Sequence, residues 1–247
     1  MIDIHTHILP GIDDGASDWS QAVAMCRTAA AEGFDVLVAT PHQRHPHWWN
    51  DDLDRLETAR RRLQSELGTH PRIVLGAEVR ADGAILDAVD SLSSQSRSGP
   101  RMKCIGSSRY VLLEFGPLAG PEPESVVHEM LVAGLVPIVA HPECLPWLAL
   151  DIDRLRALVE RGALLQITAM SVAGDFGRTP RDSSLRLLQD GLVHFLASDC
   201  HDLERRPPGV SEAAKIVRRK FGAELLESIT HANPLAVIED RRVVEAA

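Results

Sequence analysis

Seven short apolar runs, each leading into an amphipathic stretch, set the folding problem for this chain. The runs are 2–7 (IDIHTH), 35–40 (DVLVAT), 72–78 (RIVLGAE), 110–115 (YVLLEF), 136–141 (VPIVAH), 163–168 (ALLQIT) and 193–198 (VHFLAS). Amphipathic stretches fall at 18–32, 51–67, 122–133, 151–161, 181–190 and 210–230. Ser17 is placed to cap the first of them, and Gly33, Gly68, Gly134, Gly162 and Gly191 stand where helices end. Strands joined by helices pair in parallel. Runs this continuously apolar are covered on both faces, as in a parallel barrel or a doubly wound sheet. Seven units over about 200 residues favour the barrel, a distorted (β/α)7 relative of the eight-stranded TIM type with one unit missing. A single domain over 1–247 is expected, with 90–108 as a surface loop.

A parallel barrel carries its functional side chains at the C-terminal ends of its strands. Within IDIHTH, strict alternation puts Asp3, His5 and His7 on one face. His5 and His7 end the first run and Asp14 lies in the loop behind it. His42 follows VLVATP, Glu78 ends the third run, Glu114 the fourth and His141 the fifth, while Asp199 and His201 follow the last. An ionisable group at the end of an apolar strand is costly to bury unless it is paired or bound to metal. Five imidazoles and four carboxylates without a thiolate exceed what one ion takes, and form the donor set of a multinuclear Mn, Fe or Zn site. His45 and His47 fall in a loop at the entrance. His70, His128, His194 and His231 read as surface or structural, so all six stay outside the set.

Composition narrows the function further. A net charge of −9 disfavours a nucleic-acid partner, and a phosphorylated substrate needs local positive charge. No apolar run reaches the ~18 residues of a membrane span, and no basic stretch leads into an apolar one near the start, so the protein is expected to be cytoplasmic and not membrane-embedded. Cys26, Cys104, Cys144 and Cys200 are scattered, forming neither a disulfide framework nor a thiolate zinc knuckle.

The motifs DIHTHILPGIDDGA, ATPH, GAEVR, LLEF, PIVAHPE, LLQIT, AGDFG and SLRLLQDGLVHFLASDCH occur in this order. In them the chain resembles the polymerase and histidinol phosphatase (PHP) superfamily, and within it the manganese-dependent protein-tyrosine phosphatases of bacterial capsule and exopolysaccharide loci. The resemblance implies three divalent ions, most simply Mn, with Fe and Zn as alternatives. His5, His7, Glu78 and Asp199 would surround one, Glu78 would bridge to a second held by Glu114 and His141, and Asp14, His42 and His201 would hold the third. It further implies attack on phosphorus by a metal-activated hydroxide, with Arg80 and Arg206 as the catalytic, phosphate-binding residues. The implied partner is the phosphotyrosine tail of a bacterial tyrosine kinase, and homo-oligomers are compatible with the family.

One departure stands out. The family reads His-Pro-Glu-Arg after the fifth strand, whereas this chain has Cys144 in HPEC; Arg205, or Arg44 on the rim, is placed to supply the missing charge. Cys200 and Arg206 also match the Cys-x5-Arg spacing of thiolate phosphatases. The intervening HDLER contains no glycine and two acidic residues, which oppose both phosphate binding and a low thiol pKa. Two further readings share the sequence: a PHP phosphoesterase acting on a small molecule such as histidinol phosphate, and a regulatory binding partner of a kinase with a weakened site.

Overall fold

The computed structural model describes residues 1–93, 102–118 and 120–243. Its strands are β1 (Ile2–Thr6), β2 (Val36–Ala39), β3 (His42–Gln43), β4 (Arg72–Leu75), β5 (Glu78–Arg80), β6 (Tyr110–Glu114), β7 (Val136–Ala140), β8 (Leu164–Thr168) and β9 (Phe195–Ala197), and all their pairings are parallel. Two of the seven sequence runs are bent. The path of β2 and β3 breaks at Thr40–Pro41 and that of β4 and β5 at Gly76–Ala77. Backbone bonds hold the two bends together, Gly76 N–H to Ala39 O at 2.8 Å and Glu78 N–H to Pro41 O at 3.1 Å. The approach is close: a Cβ at Gly76 would lie 3.1 Å from Val38 Cγ1, so that side chain would have to shift to accept one.

The bends split the ring into two sheets, β1-β2-β4 and β3-β5-β6-β7-β8-β9, so the barrel is distorted and not closed by a continuous ladder. At one seam, His7 N–H reaches Cys200 O and Asp199 N–H reaches His5 O, both at 2.9 Å, around a parallel Thr6–Cys200 bridge. At the other, Gly106 N–H bonds to Leu75 O at 2.8 Å, and the side chain of Ile105 is fully buried.

That second seam corrects the expectation of a surface loop over 90–108. A helix, Ile85–Ser93, covers its first residues, and Met102, Ile105 and Ser108 are buried because they fill the gap beside β4; residues 94–101 lie outside the described set. The amphipathic stretches form helices Trp19–Ala31, Leu53–Leu67, Pro123–Val132, Ile152–Glu160 and Arg178–Gln189. The stretch 210–230 is not one helix. Gly222, at φ +98°, separates Ser211–Phe221 from Ala223–Glu227.

Side chains on one face of each strand fill the barrel below its C-terminal rim. Tyr110 and Leu112 precede Glu114 at period two, as Phe195 and Ala197 precede Asp199, and these four pack with Ile2, Ile4, Val38 and Ile138 in one buried cluster. The opposite faces, including Val111, Leu113, Val139 and Leu165, pack against the helices in a larger cluster. In β1 the pairing slips by one residue between Asp3 and Thr6, which breaks the strict alternation expected there. Asp3 consequently does not join the two histidines. Its carboxylate accepts the N–H groups of His5 and Ser198, both at 3.2 Å, and ties β1 to β9.

The first helix is capped by Asp18 rather than Ser17: Asp18 Oδ1 accepts Gln21 N–H at 2.9 Å, while Ser17 bonds to the Gln21 side chain. Gly33 ends it, with Gly33 N–H to Ala30 O and Phe34 N–H to Ala29 O satisfying the terminal carbonyls. Asp18→Ala is expected to cost about 1 kcal/mol of stability and Ser17→Ala clearly less, as read by urea unfolding.

Candidate metal centre

The first loop folds back on the strand that precedes it. Gly11 N–H bonds to Ala16 O and Ala16 N–H to His7 O at 2.9 and 3.0 Å. Gly15 approaches so closely that an added Cβ would lie 2.0 Å from His7 O. Asp13 is thereby sealed under the loop, where it meets His7 Nδ1 at 2.8 Å and accepts the backbone N–H groups of His42 and Gly15 at 2.9 and 3.0 Å. Asp14, next along, is left facing the cleft. His141 and Asp199 turn in from the ends of β7 and β9 with φ of +33° and +54°, backbone that costs non-glycine residues about 1–3 kcal/mol each.

All nine residues singled out at the strand ends converge. Glu78 is at the centre and 1% exposed. Its Oε1 is 2.8 Å from His141 Nε2 and 3.5 Å from His5 Nε2, and its Oε2 is 2.8 Å from His42 Nδ1 and 3.5 Å from His7 Nε2. Asp199 Oδ1 is 3.3 Å from His5 Nε2 and 3.5 Å from His7 Nε2. Asp14 Oδ1 is 3.4 Å from both His42 Nε2 and His201 Nε2, and Glu114 Oε2 is 3.8 Å from His42 Nδ1. The ligand atoms fall into four overlapping groups: His7, Asp14, His42 and His201; His5, His141 and Asp199; His5, His7 and Glu78; and His42, Glu78 and Glu114.

The chemistry of these donors fits a metal. His7 Nδ1 faces the Asp13 carboxylate and His5 Nδ1 faces Gln166 Oε1 at 2.9 Å, so each Nδ1 carries the ring proton and each Nε2 offers a lone pair. Those two Nε2 atoms lie 3.2 Å apart with carboxylate oxygens around them. Acceptors facing acceptors in a buried site repel one another unless a cation or a proton sits between them. Asp13 and Gln166 were outside the residues selected from sequence. Asp13 carried a signal, standing beside Asp14 in GIDDG; Gln166 carried none, because a polar residue in mid-strand shows its purpose only once His5 is opposite it.

Without a cation, protons take that place. Burial alone would lower the imidazole pKa values, yet Glu78 and Asp14 raise His42 to about 10, and Glu78 raises His141 to about 9. Burial would raise the carboxylates, yet His5 and its neighbours hold Glu78 and Asp199 well below the ordinary range. Glu114 is the exception, pushed up to about 7 by burial and by the charge of Glu78.

Arg206 lines the cleft, its Nη2 on Asp199 and its Nη1 3.2 Å from His201 Nε2; its Nε is buried with no partner. Arg80 lies behind the cluster, its Nε 3.0 Å from Glu114 Oε2. Neither Arg205 nor Arg44 is among the side chains that line the cleft beside Cys144. Arg205 is exposed, and Arg44 is buried, gripping Asp82 through two bonds of 2.8 and 2.9 Å. Cys144 itself lines the cleft, 3.3 Å from Ser171 Oγ, its thiol pKa raised by burial and by Glu143. Cys200 is packed in the core, its thiol pushed up to about 12 by burial and Asp3. That excludes the thiolate mechanism suggested by the Cys-x5-Arg spacing. His194 is structural, accepting Leu165 N–H on Nδ1 at 3.2 Å.

A TIM-like α/β barrel with a buried imidazole and carboxylate cluster at its C-terminal rim is the architecture of metal-dependent hydrolases. Over residues 1–239 the sequence matches the family described as capsular polysaccharide synthesis, CpsB/CapC, and the chain belongs to that family. It is 33% identical over 235 residues to tyrosine-protein phosphatase YwqE of Bacillus subtilis (strain 168), covering 93% of this chain and 89% of that protein. It is 28% identical over 251 residues to tyrosine-protein phosphatase CpsB of Streptococcus pneumoniae, covering 98% and 100%. A solved chain from the crystal structures of YwqE and CpsB, described as unique metal-dependent tyrosine phosphatases, superposes with a TM-score of 0.90 at 30% identity, over 100% of this chain and 97% of that one. The phosphotriesterase of Mycobacterium tuberculosis shares the fold at 12% identity, with a TM-score of 0.58 over 97% and 93% of the two chains. Among the described residues no helix is long and apolar enough to cross a membrane.

Two outcomes follow from the cluster. Asp13→Asn leaves His7 with a neutral partner and is expected to weaken divalent-metal binding about tenfold, measured by calorimetric titration. The second concerns pH. The contributions of His42 and His141, whose pKa values are raised, are complete below the ordinary imidazole value of 6.5 and disappear as pH climbs through about 9 and 10. Those of Glu78 and Asp199, whose pKa values are lowered, are present above the ordinary carboxylate values and disappear in acid. The chelated protein is therefore expected to melt progressively earlier as pH rises from 6.5 to 9, and an added divalent metal ion to reverse that loss, as followed by circular dichroism.

Proposed function

We propose that this chain is a metal-dependent protein-tyrosine phosphatase that hydrolyses phosphotyrosine on a bacterial tyrosine kinase serving capsular or exopolysaccharide synthesis. The observation that carries the reading is the meeting of nine His, Asp and Glu side chains in overlapping groups at one rim, in a chain whose relatives are tyrosine-protein phosphatases over nearly their full length. The ligand sets are taken as His5, His7, Glu78 and Asp199; Glu78, Glu114 and His141; and Asp14, His42 and His201, for three ions, Mn first. Ions held there supply Lewis acidity toward the phosphoryl oxygens and lower the pKa of a water enough for it to attack at neutral pH.

The remaining work falls to the chain. Arg206 lines the cleft with its guanidinium against Asp199 and His201, where it balances charge as the ester bond breaks. Arg80 acts through Glu114, holding that carboxylate in place by their ion pair. Asp13 and Gln166 fix the tautomers of His7 and His5. With both thiols near the cluster held neutral by burial, phosphorus passes to water directly and no phosphocysteine forms.

Purified protein with Mn should hydrolyse p-nitrophenyl phosphate and a phosphotyrosine peptide, lose turnover in chelator and keep it in Cys200→Ser. Arg206→Ala should lower kcat/KM by about a hundredfold. Turnover that survives chelator but not Cys200→Ser overturns the mechanism, and a strong preference for histidinol phosphate over the peptide overturns the substrate.

A further inference from the structure

The donor cluster does not fill its cleft. The cavity measures about 440 Å³, and its lining includes aromatic side chains from two separate loops, His45 and Trp48 from one and Phe176 from the other. Each wall is a single contact away from the cluster. The Trp48 ring stacks on His42 at 5.3 Å and 12°, and on His45 at 4.7 Å and 26°. In the other loop, the Phe176 ring lies 5.8 Å from the Arg206 guanidinium carbon. The Trp48 wall presents stacked ring faces to the cleft.

Both walls are preformed. The loop bearing Trp48 is closed by Arg44 N–H to Trp49 O and by reciprocal bonds between the backbones of His45 and Trp48. It is pinned from below by the Arg44–Asp82 pair and by Asn50 Nδ2 on His42 O at 2.8 Å. This explains the burial of Arg44, which phosphate chemistry does not. Phe176 sits in a tight turn between Gly174 and Gly177, closed by Gly177 N–H to Gly174 O at 3.0 Å.

We propose that Trp48 and Phe176 form an aryl clamp that selects aromatic over alkyl phosphate monoesters. In an aryl phosphate a single ester oxygen separates phosphorus from the ring, so a phosphoryl group seated at the cluster puts the ring in the layer these two side chains occupy. Ring contacts of this kind combine π geometry with burial of apolar surface, whereas a phosphoseryl methylene is too small to meet either wall. The clamp rests on the phosphatase reading for its biological meaning but not for its test.

The test uses binding as well as turnover. Phenylphosphonate and methylphosphonate, which are not hydrolysed, are titrated calorimetrically into Mn-loaded wild type, Trp48→Leu, Phe176→Leu and the double variant. Each single variant is expected to weaken phenylphosphonate about tenfold and methylphosphonate less than threefold, with Trp48→Phe restoring most of the loss. In turnover, KM for the phosphotyrosine peptide rises while kcat changes little. Equal losses for both phosphonates, or no loss for either, overturn the clamp. A wild type that binds phenylphosphonate in preference to methylphosphonate but hydrolyses neither p-nitrophenyl phosphate nor the peptide would sink the phosphatase reading and leave the clamp standing.

Discussion

The structure turns on Glu78, a fully buried carboxylate whose two oxygens each face two imidazoles. A lone buried charge of this kind is prohibitive, so its position dictates what surrounds it. The bend at Gly76–Ala77 lets β5 pair with β3 and β6 and carries Glu78 to the middle of the rim. The matching bend at Pro41 brings His42 directly opposite in register. A regular eight-stranded barrel needs neither break. Here the irregularities divide one sheet into two, and the lost ladder is recovered by Gly106 on one side and by His7 and Asp199 on the other.

The histidines are held as strictly as the carboxylate. Asp13 fixes His7 through a bond that requires the first loop to fold back onto it, and Gly15 is what permits so close an approach. The same carboxylate takes the backbone N–H of His42. One residue outside the cluster thus sets the ring orientation of one histidine and the backbone position of another. Outer partners of this kind are where a small change in sequence alters metal affinity without touching a ligand.

How much of this was legible in sequence follows from what each residue depends on. The nine strand-end donors could be found because barrel architecture predicts where functional groups fall, and because a charged residue after an apolar run is conspicuous. The two bent strands could not, since GAE and ATPH read as the continuous ends of their runs. Ile105 lay in a stretch whose polar composition signals a loop, and only the unpaired edge of β4 explains its burial. Arg44 looked like a rim cation because it is flanked by His42 and His45; its partner, Asp82, is distant in sequence and belongs to another loop. The Asp3 alternation failed for a local reason, a one-residue slip in β1 that periodicity does not register.

Charge balance connects these pieces to the acidity of the whole chain. Asp13, Asp14, Glu78, Glu114 and Asp199 bring five carboxylates to the site, against the guanidinium groups of Arg80 and Arg206. With the imidazoles neutral, as metal binding requires, the five carboxylates exceed the two guanidinium groups by three negative charges, in a chain of net charge −9. Such a site repels a phosphate dianion. Two divalent ions would make it positive by one charge and three by three, so substrate affinity is set by metal loading rather than by surface lysines and arginines. The same charge balance reduces the demand on Cys144. Where a family arginine would add one more positive charge, a fully loaded centre already carries a surplus, and the neutral thiol leaves recognition of the leaving group to the aromatic walls above it.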